Sequence, residues 1–469
     1  MIFITRCVRV ITEGQTRWCA SPHFIYMLGP AFFAALANSI LAGQATPDAV
    51  VARLSRTLGR EWRWLHPVVQ RYLARFGDGS RPRNREVVEF LLRDTGLARA
   101  LHRHRNQVEI AAWISPTPSM QPAHAARRWP VPAIESIGAL AEWLKIMPGE
   151  LAWFADLKRM IARCGREQAT GPLSHYHYRI LAKDGGSVRL IEAPKKGLKL
   201  IQQQILSEIL EKIPVHPAAH GFRRGRSIKT FAAPHVGQRV VVRMDLRDFF
   251  PSISAPRVQA MFRTAGYPES IADLLGGLCT NAVPRAIWTG RGLDSLRIAE
   301  GRQLYAWPHL PQGAPTSPAL ANICAHRVDC RLTGLAEACG AVYTRYADDL
   351  AFSGGKQFER CAERFAIRAA AILLEEGFAV HHRKTRIMRR GVRQYLAGIV
   401  ANQHLNVIRR DYDILKATLT NCVRYGAESQ NRDGHANLRL HLQGRVSFVE
   451  MINATRGAKL RSLLEQIQW

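Results

Sequence analysis

Two adjacent aspartates, Asp348 and Asp349, lie between short hydrophobic runs in residues 343–354, which read YTRYADDLAFSG. The β-branched and aromatic flanks predict a strand on each side, so we expect a β-hairpin with both carboxylates at its tip. Carboxylate oxygens suit hard divalent cations, and a pair of such cations can hold the attacking and leaving oxygens of a phosphoryl transfer. A solvated turn is the alternative for an isolated Asp-Asp pair, so the rest of the chain must decide.

Another carboxylate, Asp245, lies about a hundred residues upstream in residues 240–254, VVVRMDLRDFFPSIS. The run of valines predicts a short buried strand that ends at Asp245. A buried carboxylate is costly unless it is paired or bound to a metal. Either neighbouring arginines pair Asp245 and Asp248, or a metal ion does.

Between these two segments, residues 310–322 read LPQGAPTSPALAN. Gly313 permits close backbone approach, and Thr316 or Ser317 could cap a helix that begins near Pro318. A loop of this kind suits a base-paired template and an incoming nucleotide, although a plain turn is the alternative when the string is taken singly.

The strand with its aspartate, the PQG loop with its helix and the YxDD hairpin follow each other in an order that resembles the palm of reverse transcriptases. The match is closest to the bacterial retron-type branch and extends from about residue 171 to the C-terminus. The resemblance implies an α+β fold with the right-hand polymerase architecture. Such a fold has fingers, a palm with a ferredoxin-like sheet and a helical thumb, here preceded by an all-helical N-terminal region.

The resemblance also implies a metal site. Asp245, Asp348 and Asp349 match the catalytic carboxylates that bind two Mg²⁺ ions, or Mn²⁺, and the Leu246 carbonyl matches a further ligand. Lys384 matches the lysine that approaches the leaving pyrophosphate, where it can act as a charge clamp or general acid. A solvated surface lysine is its alternative.

Five further residues match nucleotide-binding and template-binding positions. Phe250 falls where the family places the bulky residue that rejects a 2′-hydroxyl, which implies the use of dNTPs. Gln312 and Gly313 would contact template and nucleotide. Lys183 and Arg189 flank a predicted hairpin turn and could grip triphosphate oxygens.

Retron resemblance further implies a structured noncoding RNA as template and primer, an RNA–DNA hybrid product, an effector or toxin protein as a further partner, and a role in anti-phage defence. Two retron signatures are altered. Residues 231–235 read FAAPH, which keeps the His of the first signature at His235 but lacks its Asn. Residues 394–398 read QYLAG, which keeps the Gly of the second signature at Gly398 but lacks its Thr. Both signatures are linked to the structured RNA and to branched priming.

Two alternatives remain open. One is another bacterial reverse transcriptase, either a non-retron defence enzyme or a group II intron-like enzyme. The other, of a different class, is a catalytically idle RNA-binding scaffold, against which the intact acidic residues and Lys384 argue.

The composition favours a nucleic-acid partner. Lys and Arg number 66 against 37 Asp and Glu, a net charge of +29, which indicates a polyanionic partner. The nine cysteines are scattered, with no CxxC pair, which is typical of a reducing cytoplasm. Residues 24–42 are interrupted by polar residues and Pro30, so we expect a buried helix rather than a membrane span, and Met27 is a candidate start.

The chain is expected to divide into five segments: a helical N-terminal extension (1–114), a Pro-rich linker (115–132), a helical lead-in (133–165), fingers and palm (166–400) and a helical thumb (401–469). Within the first segment, apolar spacing predicts helices at residues 48–58, 62–76 and 87–101. Its recurrent arginines form either a solvated face or an RNA-binding face.

Overall fold

The computed structural model describes residues 22–77, 82–104, 106–114, 119–163, 171–182, 188–289 and 295–469. The chain forms two compact units, of which the first ends at Ser119 and the second begins at Met120. Lys183, the turn predicted around it and residues 115–118 of the predicted linker lie outside the described ranges. The five-segment division stays a prediction.

The first unit is helical where it is described. Its helices are α1 (Pro22–Leu41), α2 (Pro47–Thr57), α3 (Leu65–Phe76), α4 (Asn84–Arg93) and α5 (Thr95–Arg103). Apolar side chains at helical spacing form one core, which includes Leu36, Leu54 and Val69. Helix α1 is kinked at Gly29, whose φ is 70°. Across the described residues, no helix is both long and apolar enough to cross a membrane.

The prediction of a single helix over residues 87–101 is wrong, because Asp94 interrupts it. Asp94 has an extended backbone conformation, and its Oδ1 accepts a hydrogen bond of 2.6 Å from the Leu97 N–H. It therefore ends α4 and caps α5. The Arg71 side chain donates to both carboxylate oxygens of Asp94 at 2.6 and 2.8 Å and holds the break in place.

One arginine of this unit belongs to neither predicted face. Arg53 is buried, and its guanidinium donates to the backbone carbonyls of Ser39, Ile40 and Gln44 at 2.8 to 3.0 Å. These carbonyls lie at and just after the C-terminal end of α1, where helical partners are missing. Arg53 therefore closes that end of the helix.

The second unit combines helices with three small sheets. Its helices are α6 (Ile137–Leu144), α7 (Pro148–Ala155), α8 (Met160–Arg163), α9 (Lys196–Glu208), α10 (Ile228–Ala232), α11 (Ala255–Thr264), α12 (Glu269–Cys279), α13 (Ser295–Leu304), α14 (Ser317–Cys324), α15 (His326–Ala338), α16 (Lys356–Glu375), α17 (Arg409–Tyr425), α18 (Leu438–Ile452) and α19 (Ala454–Glu465). Its strands are β1 (Tyr176–Ala182), β2 (Val188–Pro194), β3 (Val240–Arg247), β4 (Ala341–Tyr346), β5 (Asp349–Gly354), β6 (Ala379–Val380), β7 (Arg386–Arg389), β8 (Tyr395–Leu396) and β9 (Ile399–Val400).

The central sheet is antiparallel and has the order β4–β5–β3, with β6 and β7 both paired to the far side of β3. Strand β3 alternates between two cores. Val240, Val242, Met244 and Leu246 pack against the helices of the main core, whereas Val241 packs in a second core with α17, α18 and α19. The same alternation places Asp245 on the face of Val241.

The predicted end of this strand was two residues too early. Leu246 and Arg247 continue β3 because they pair with Val380 and Ala379 of β6. A strand partner more than 130 residues away cannot be read from the local pattern. The other two sheets are the hairpins β1–β2 and β8–β9.

Candidate active site

The Asp-Asp segment forms the predicted hairpin. Tyr346 at the end of β4 is paired with Asp349 at the start of β5, which leaves Ala347 and Asp348 as a two-residue turn. Ala347 has a φ of 55°, in the left-handed region. Gly221 packs directly against this turn, since a Cβ on it would lie 2.5 Å from the Ala347 nitrogen. Only glycine fits there without displacing the hairpin tip.

The sheet brings Asp245 to the same place. Asp245 is the direct partner of Asp349 across β3 and β5, and such opposed residues have Cβ atoms about 5 Å apart. The Leu246 N–H donates to the Asp348 carbonyl at 2.9 Å, so the backbones of the two motifs are also joined. Asp245, Asp348 and Asp349 therefore lie together at one end of the sheet.

Two of the three carboxylates are ion-paired. Lys384 Nζ donates to both oxygens of Asp245 at 3.1 and 3.2 Å. Arg243 holds Asp349 Oδ1 through Nε at 2.9 Å and Nη2 at 2.7 Å. The predicted arginine partner of Asp245 is thus wrong, because a lysine from a distant turn occupies that position. Arg247 does pair Asp248, at 3.3 Å.

Lys384 reaches Asp245 through the backbone that precedes it. The His381 N–H donates to the Asp245 carbonyl at 2.8 Å, and a short 3₁₀ turn, His382–Lys384, follows. The ammonium group is about half exposed, whereas the Asp245 carboxylate is buried. The lysine is therefore anchored at its backbone while its charged end stays accessible to solvent.

Burial and mutual repulsion act on the acidic cluster. Burial, followed by the charges of Asp245 and Asp349, raises the pKa of Asp348 above its usual range. Burial also raises the pKa of Asp349, although Arg243 opposes the shift. Within the described part of the chain, the three carboxylates have two ion-pair partners, Lys384 and Arg243, and Asp348 is paired with neither.

The donor chemistry fits a hard divalent cation, since carboxylate oxygens are what Mg²⁺ and Mn²⁺ prefer. The arrangement does not yet provide a cage. Among the described residues, no group of three His, Cys, Asp or Glu side chains is positioned to hold a metal ion. Lys384 and Arg243 occupy carboxylate oxygens that such an ion would use.

The PQG loop lies against strand β2. The Glu192 N–H donates to the Gln312 carbonyl at 2.9 Å, and Gly313, with a φ of 134°, leaves no room for a Cβ beside the Glu192 carbonyl. Gly313 therefore lies close to the β2 backbone, and its contact with template or nucleotide stays a prediction. The predicted side-chain cap is wrong: α14 begins at Ser317, but the Ser317 hydroxyl donates to the Pro311 carbonyl at 2.7 Å, and Thr316 makes no side-chain cap.

Phe250 lies after strand β3, and Arg189 lies on strand β2. Phe250 lies three residues after the end of β3 and is half-buried, with its ring 5.9 Å from that of Phe222. Arg189 is exposed on β2, one residue from the edge of the described range. Contact of either residue with a nucleotide stays a prediction.

A buried pair behind the PQG loop escaped the sequence analysis. Both ring nitrogens of His309 face acceptors, the Trp307 carbonyl at 2.7 Å and Glu192 Oε1 at 2.9 Å. Burial opposes the charge of the imidazole, but the Glu192 carboxylate and the Trp307 carbonyl outweigh it and raise the His309 pKa. Asn281 Nδ2 donates to the other Glu192 oxygen at 2.7 Å. Only the histidine three residues before Gln312 could have signalled this pair.

A second buried network holds the hairpin from behind. Arg345 and Asp329 have no exposed side-chain surface, and Arg345 donates through Nε and Nη2 to the two Asp329 oxygens at 2.8 and 2.7 Å. Arg345 Nη1 also donates to Asn322 Oδ1 at 3.0 Å and to the Ala347 carbonyl at 3.2 Å. The network therefore connects α14, α15 and the turn that carries Asp348.

Comparison with known proteins agrees with the motif order. Residues 181–407 match the family described as Reverse transcriptase (RNA-dependent DNA polymerase). The chain is 41% identical to the retron Mx65 reverse transcriptase of Myxococcus xanthus over 61% of this chain and 63% of that protein. It is 36% identical to the retron Mx162 reverse transcriptase of the same organism over 71% of this chain and 67% of that protein.

A third relative is the retron Ec86 reverse transcriptase of Escherichia coli, which is 28% identical over 62% of this chain and 82% of that protein. The matched region spans just under two thirds of the Mx65 enzyme's length. The predicted identity is confirmed at the level of the family: the chain belongs to the reverse transcriptases, and among them to the retron type.

Proposed function

We propose that this chain is an RNA-directed DNA polymerase that extends a primer on an RNA template by two-metal nucleotidyl transfer. The observation that supports it best is the meeting of Asp245, Asp348 and Asp349 at the tip of the β4–β5 hairpin. Acidic residues are rarely buried together without a function, because their mutual repulsion and desolvation oppose folding.

Asp245, Asp348 and Asp349 would hold the Mg²⁺ or Mn²⁺ ions, with the Leu246 carbonyl as a further oxygen ligand. When bound, the ions would stabilise negative charge on the attacking and leaving oxygens. Asp348 is the carboxylate without an ion pair among the three, and Lys384 must release Asp245 to free its oxygens. Burial first, and then the charges of Asp245 and Asp349, raise the pKa of Asp348, and a bound cation would oppose that shift.

The remaining residues would bind and orient the substrates. Lys384, once released from Asp245, would approach the leaving pyrophosphate with its exposed ammonium group. Phe250 would lie under the sugar and exclude a 2′-hydroxyl, and Gln312 and Gly313 would contact template and nucleotide. Arg189 on β2, with Lys183, would grip triphosphate oxygens.

The retron relatives extend the proposal to partners. A structured noncoding RNA would serve as template and primer, an RNA–DNA hybrid would be the product, and an effector or toxin protein would complete a defence system acting in the cytoplasm. The net charge of +29 supports a nucleic-acid partner. Sequencing the nucleic acid that copurifies with the protein tests this part: a short branched RNA–DNA molecule is expected, and a mixture of host transcripts would contradict it.

The catalytic proposal is tested with purified protein, a primed RNA template, dNTPs and Mg²⁺. Asp348→Asn is expected to lower primer extension by roughly 100-fold or more, since it removes charge where the transition state needs it. Asp433→Asn is the matched control, because the Asp433 side chain is 87% exposed and lies in the C-terminal region.

RNA binding, measured in parallel, should be retained by both variants. Wild-type protein that binds RNA but incorporates no nucleotide would favour the idle scaffold. Equal extension by wild type and Asp348→Asn would remove the site from the mechanism.

A further inference from the structure

Trp307 is exposed in a part of the chain where neighbouring aromatic side chains are buried. Its side chain is 64% exposed, whereas Trp288 and Tyr305 are each 2% exposed and pack against Val188 and Leu190 of β2. A large exposed aromatic side chain gains little for folding and is a common feature of binding surfaces. The proposed polymerase chemistry does not use it.

A cation covers one face of this indole. The Arg159 guanidinium carbon lies 4.7 Å from the centre of the Trp307 ring, a cation–π contact. Trp307 is nevertheless 64% exposed, so much of its surface stays available to a ligand. Lys158, next to Arg159, is exposed and adds positive charge beside the ring.

The backbone that carries Trp307 is fixed. Its carbonyl accepts the 2.7 Å hydrogen bond from the buried His309, whose other ring nitrogen contacts Glu192 on β2. The next carbonyl, of Pro308, accepts from the Ala255 N–H at 2.9 Å. A rigid backbone lowers the entropy that a ring loses when a ligand stacks on it.

Trp307 also lies close to the PQG loop. Gln312 is five positions further along the chain, which limits the Cα separation of the two residues to about 17 Å. At about 3.4 Å per stacked nucleotide, that distance corresponds to at most about five nucleotides of a single strand. An aromatic face, two adjacent cations and a position near the template loop are the features of a stacking site for single-stranded nucleic acid.

We propose that Trp307 and Arg159 bind an unpaired base of the RNA template before it reaches the active site. The base stacks on the free face of the indole, Arg159 supports the opposite face, and Lys158 contacts the phosphate backbone. This inference rests on the proposed polymerase function, because the ligand is its template strand.

The test measures binding without turnover. Fluorescently labelled RNA–DNA duplexes are titrated with full-length protein in the absence of dNTPs, and Kd is measured by anisotropy. One duplex is blunt and the other carries an unpaired 5′ RNA overhang of about eight nucleotides, long enough to reach the site. Stacking of one base predicts that Trp307→Ala raises Kd for the overhang duplex by roughly 5- to 150-fold and leaves Kd for the blunt duplex unchanged.

Three variants sharpen the comparison. Trp307→Phe keeps an aromatic face and should restore most of the affinity. Arg159→Ala should weaken overhang binding less than Trp307→Ala. Trp113→Ala is the matched control, since Trp113 is also 64% exposed but lies in the first unit, and it should bind both duplexes as the wild type does.

Unchanged binding of the overhang duplex by Trp307→Ala would overturn the inference, and so would equal losses on both duplexes. Either result leaves the polymerase proposal intact if the wild type extends a primer. Conversely, a wild type that extends no primer contradicts the polymerase proposal without deciding whether Trp307 stacks a base. The two failures are therefore distinguishable.

Discussion

The buried Arg345–Asp329 pair gives the sharpest test of how the hairpin is held. Asp329→Asn keeps the shape of the side chain but removes the charge that compensates Arg345. Asp329 accepts three hydrogen bonds, two from Arg345 and one of 2.8 Å from the Tyr343 hydroxyl. Without that charge, a guanidinium that has no exposed surface is left with neutral acceptors, namely the amide oxygen that the substitution introduces and the oxygens of Asn322 and Ala347. Removing one partner of a buried pair costs about 3–5 kcal/mol, and we expect a loss of that size in the free energy of unfolding.

Denaturant titration of the full-length variant measures the loss, and hydrogen exchange at β4 and β5 locates it. The double variant Asp329→Leu with Arg345→Met replaces both charges by apolar groups, so it should cost clearly less than the sum of the single changes. Asp413→Asn is the control, because its ion pair with Arg409 is exposed and should contribute less than about 1 kcal/mol. A cost below about 1 kcal/mol for Asp329→Asn, or strict additivity in the double variant, would refute the reasoning.

Three further predictions concern single side chains. Lys384→Ala should change the free energy of unfolding by less than about 1 kcal/mol, since the lysine is half exposed, yet slow primer extension by roughly 100-fold or more; equal activity in a steady-state assay would contradict this. Burial lowers the pKa of His235 from its usual 6.5 to about 3, so its contribution to stability is full above pH 6.5 and is lost as pH falls towards 3, at up to about 1.4 kcal/mol per pH unit. Between pH 6 and 4, the free energy of unfolding of His235→Asn should depend less on pH than that of the wild type. Equal pH dependence of the two proteins would contradict the lowered pKa of His235. Phe250→Ala should raise incorporation of ribonucleotides relative to deoxynucleotides by roughly 10-fold or more, and an unchanged ratio in single-nucleotide extension would exclude Phe250 as the sugar selector.

The hairpin could be predicted because its signal is local. Alternating apolar residues fix which side chains share a face, and a two-residue turn between them places Asp348 at the tip. The same alternation in β3 puts Asp245 on the face of the sheet that carries Val241, and not on the face whose valines pack in the main core. Motif order then supplied the family, which no single motif could do.

The partners of the carboxylates could not be predicted in this way. Lys384 lies 139 positions from Asp245 in sequence, and Arg243 lies 106 positions from Asp349. Periodicity states that a side chain faces a given side, but it does not state which distant element packs there. For the same reason the His309–Glu192 pair, joined across 117 positions, was missed.

Local hydrogen bonding explains the smaller errors. Asp94 looks like an ordinary helical residue within an apolar repeat, but its carboxylate caps the following helix and is held by Arg71. Ser317 has the right chemistry and position to cap α14, yet its hydroxyl reaches back to Pro311. In both cases a short polar side chain forms a hydrogen bond with nearby backbone, and sequence alone does not show which backbone group it will choose.

The two cations at the acidic cluster differ in a way that bears on how it works. Arg243 is 23% exposed and donates two hydrogen bonds to one Asp349 oxygen, whereas Lys384 is 54% exposed and holds Asp245 by a single ammonium group on a flexible stem. An exposed lysine ion pair is worth little and exchanges readily, while a forked arginine contact that is largely shielded from water is harder to displace. Under the proposed function, Asp245 would therefore be the carboxylate released when a divalent cation or a nucleotide phosphate arrives, whereas Asp349 would keep its ion pair with Arg243. If the cluster binds metal as proposed, the difference between its carboxylates would follow from solvent exposure and donor geometry, and Asp245 with Asp348 would provide the exchangeable oxygens.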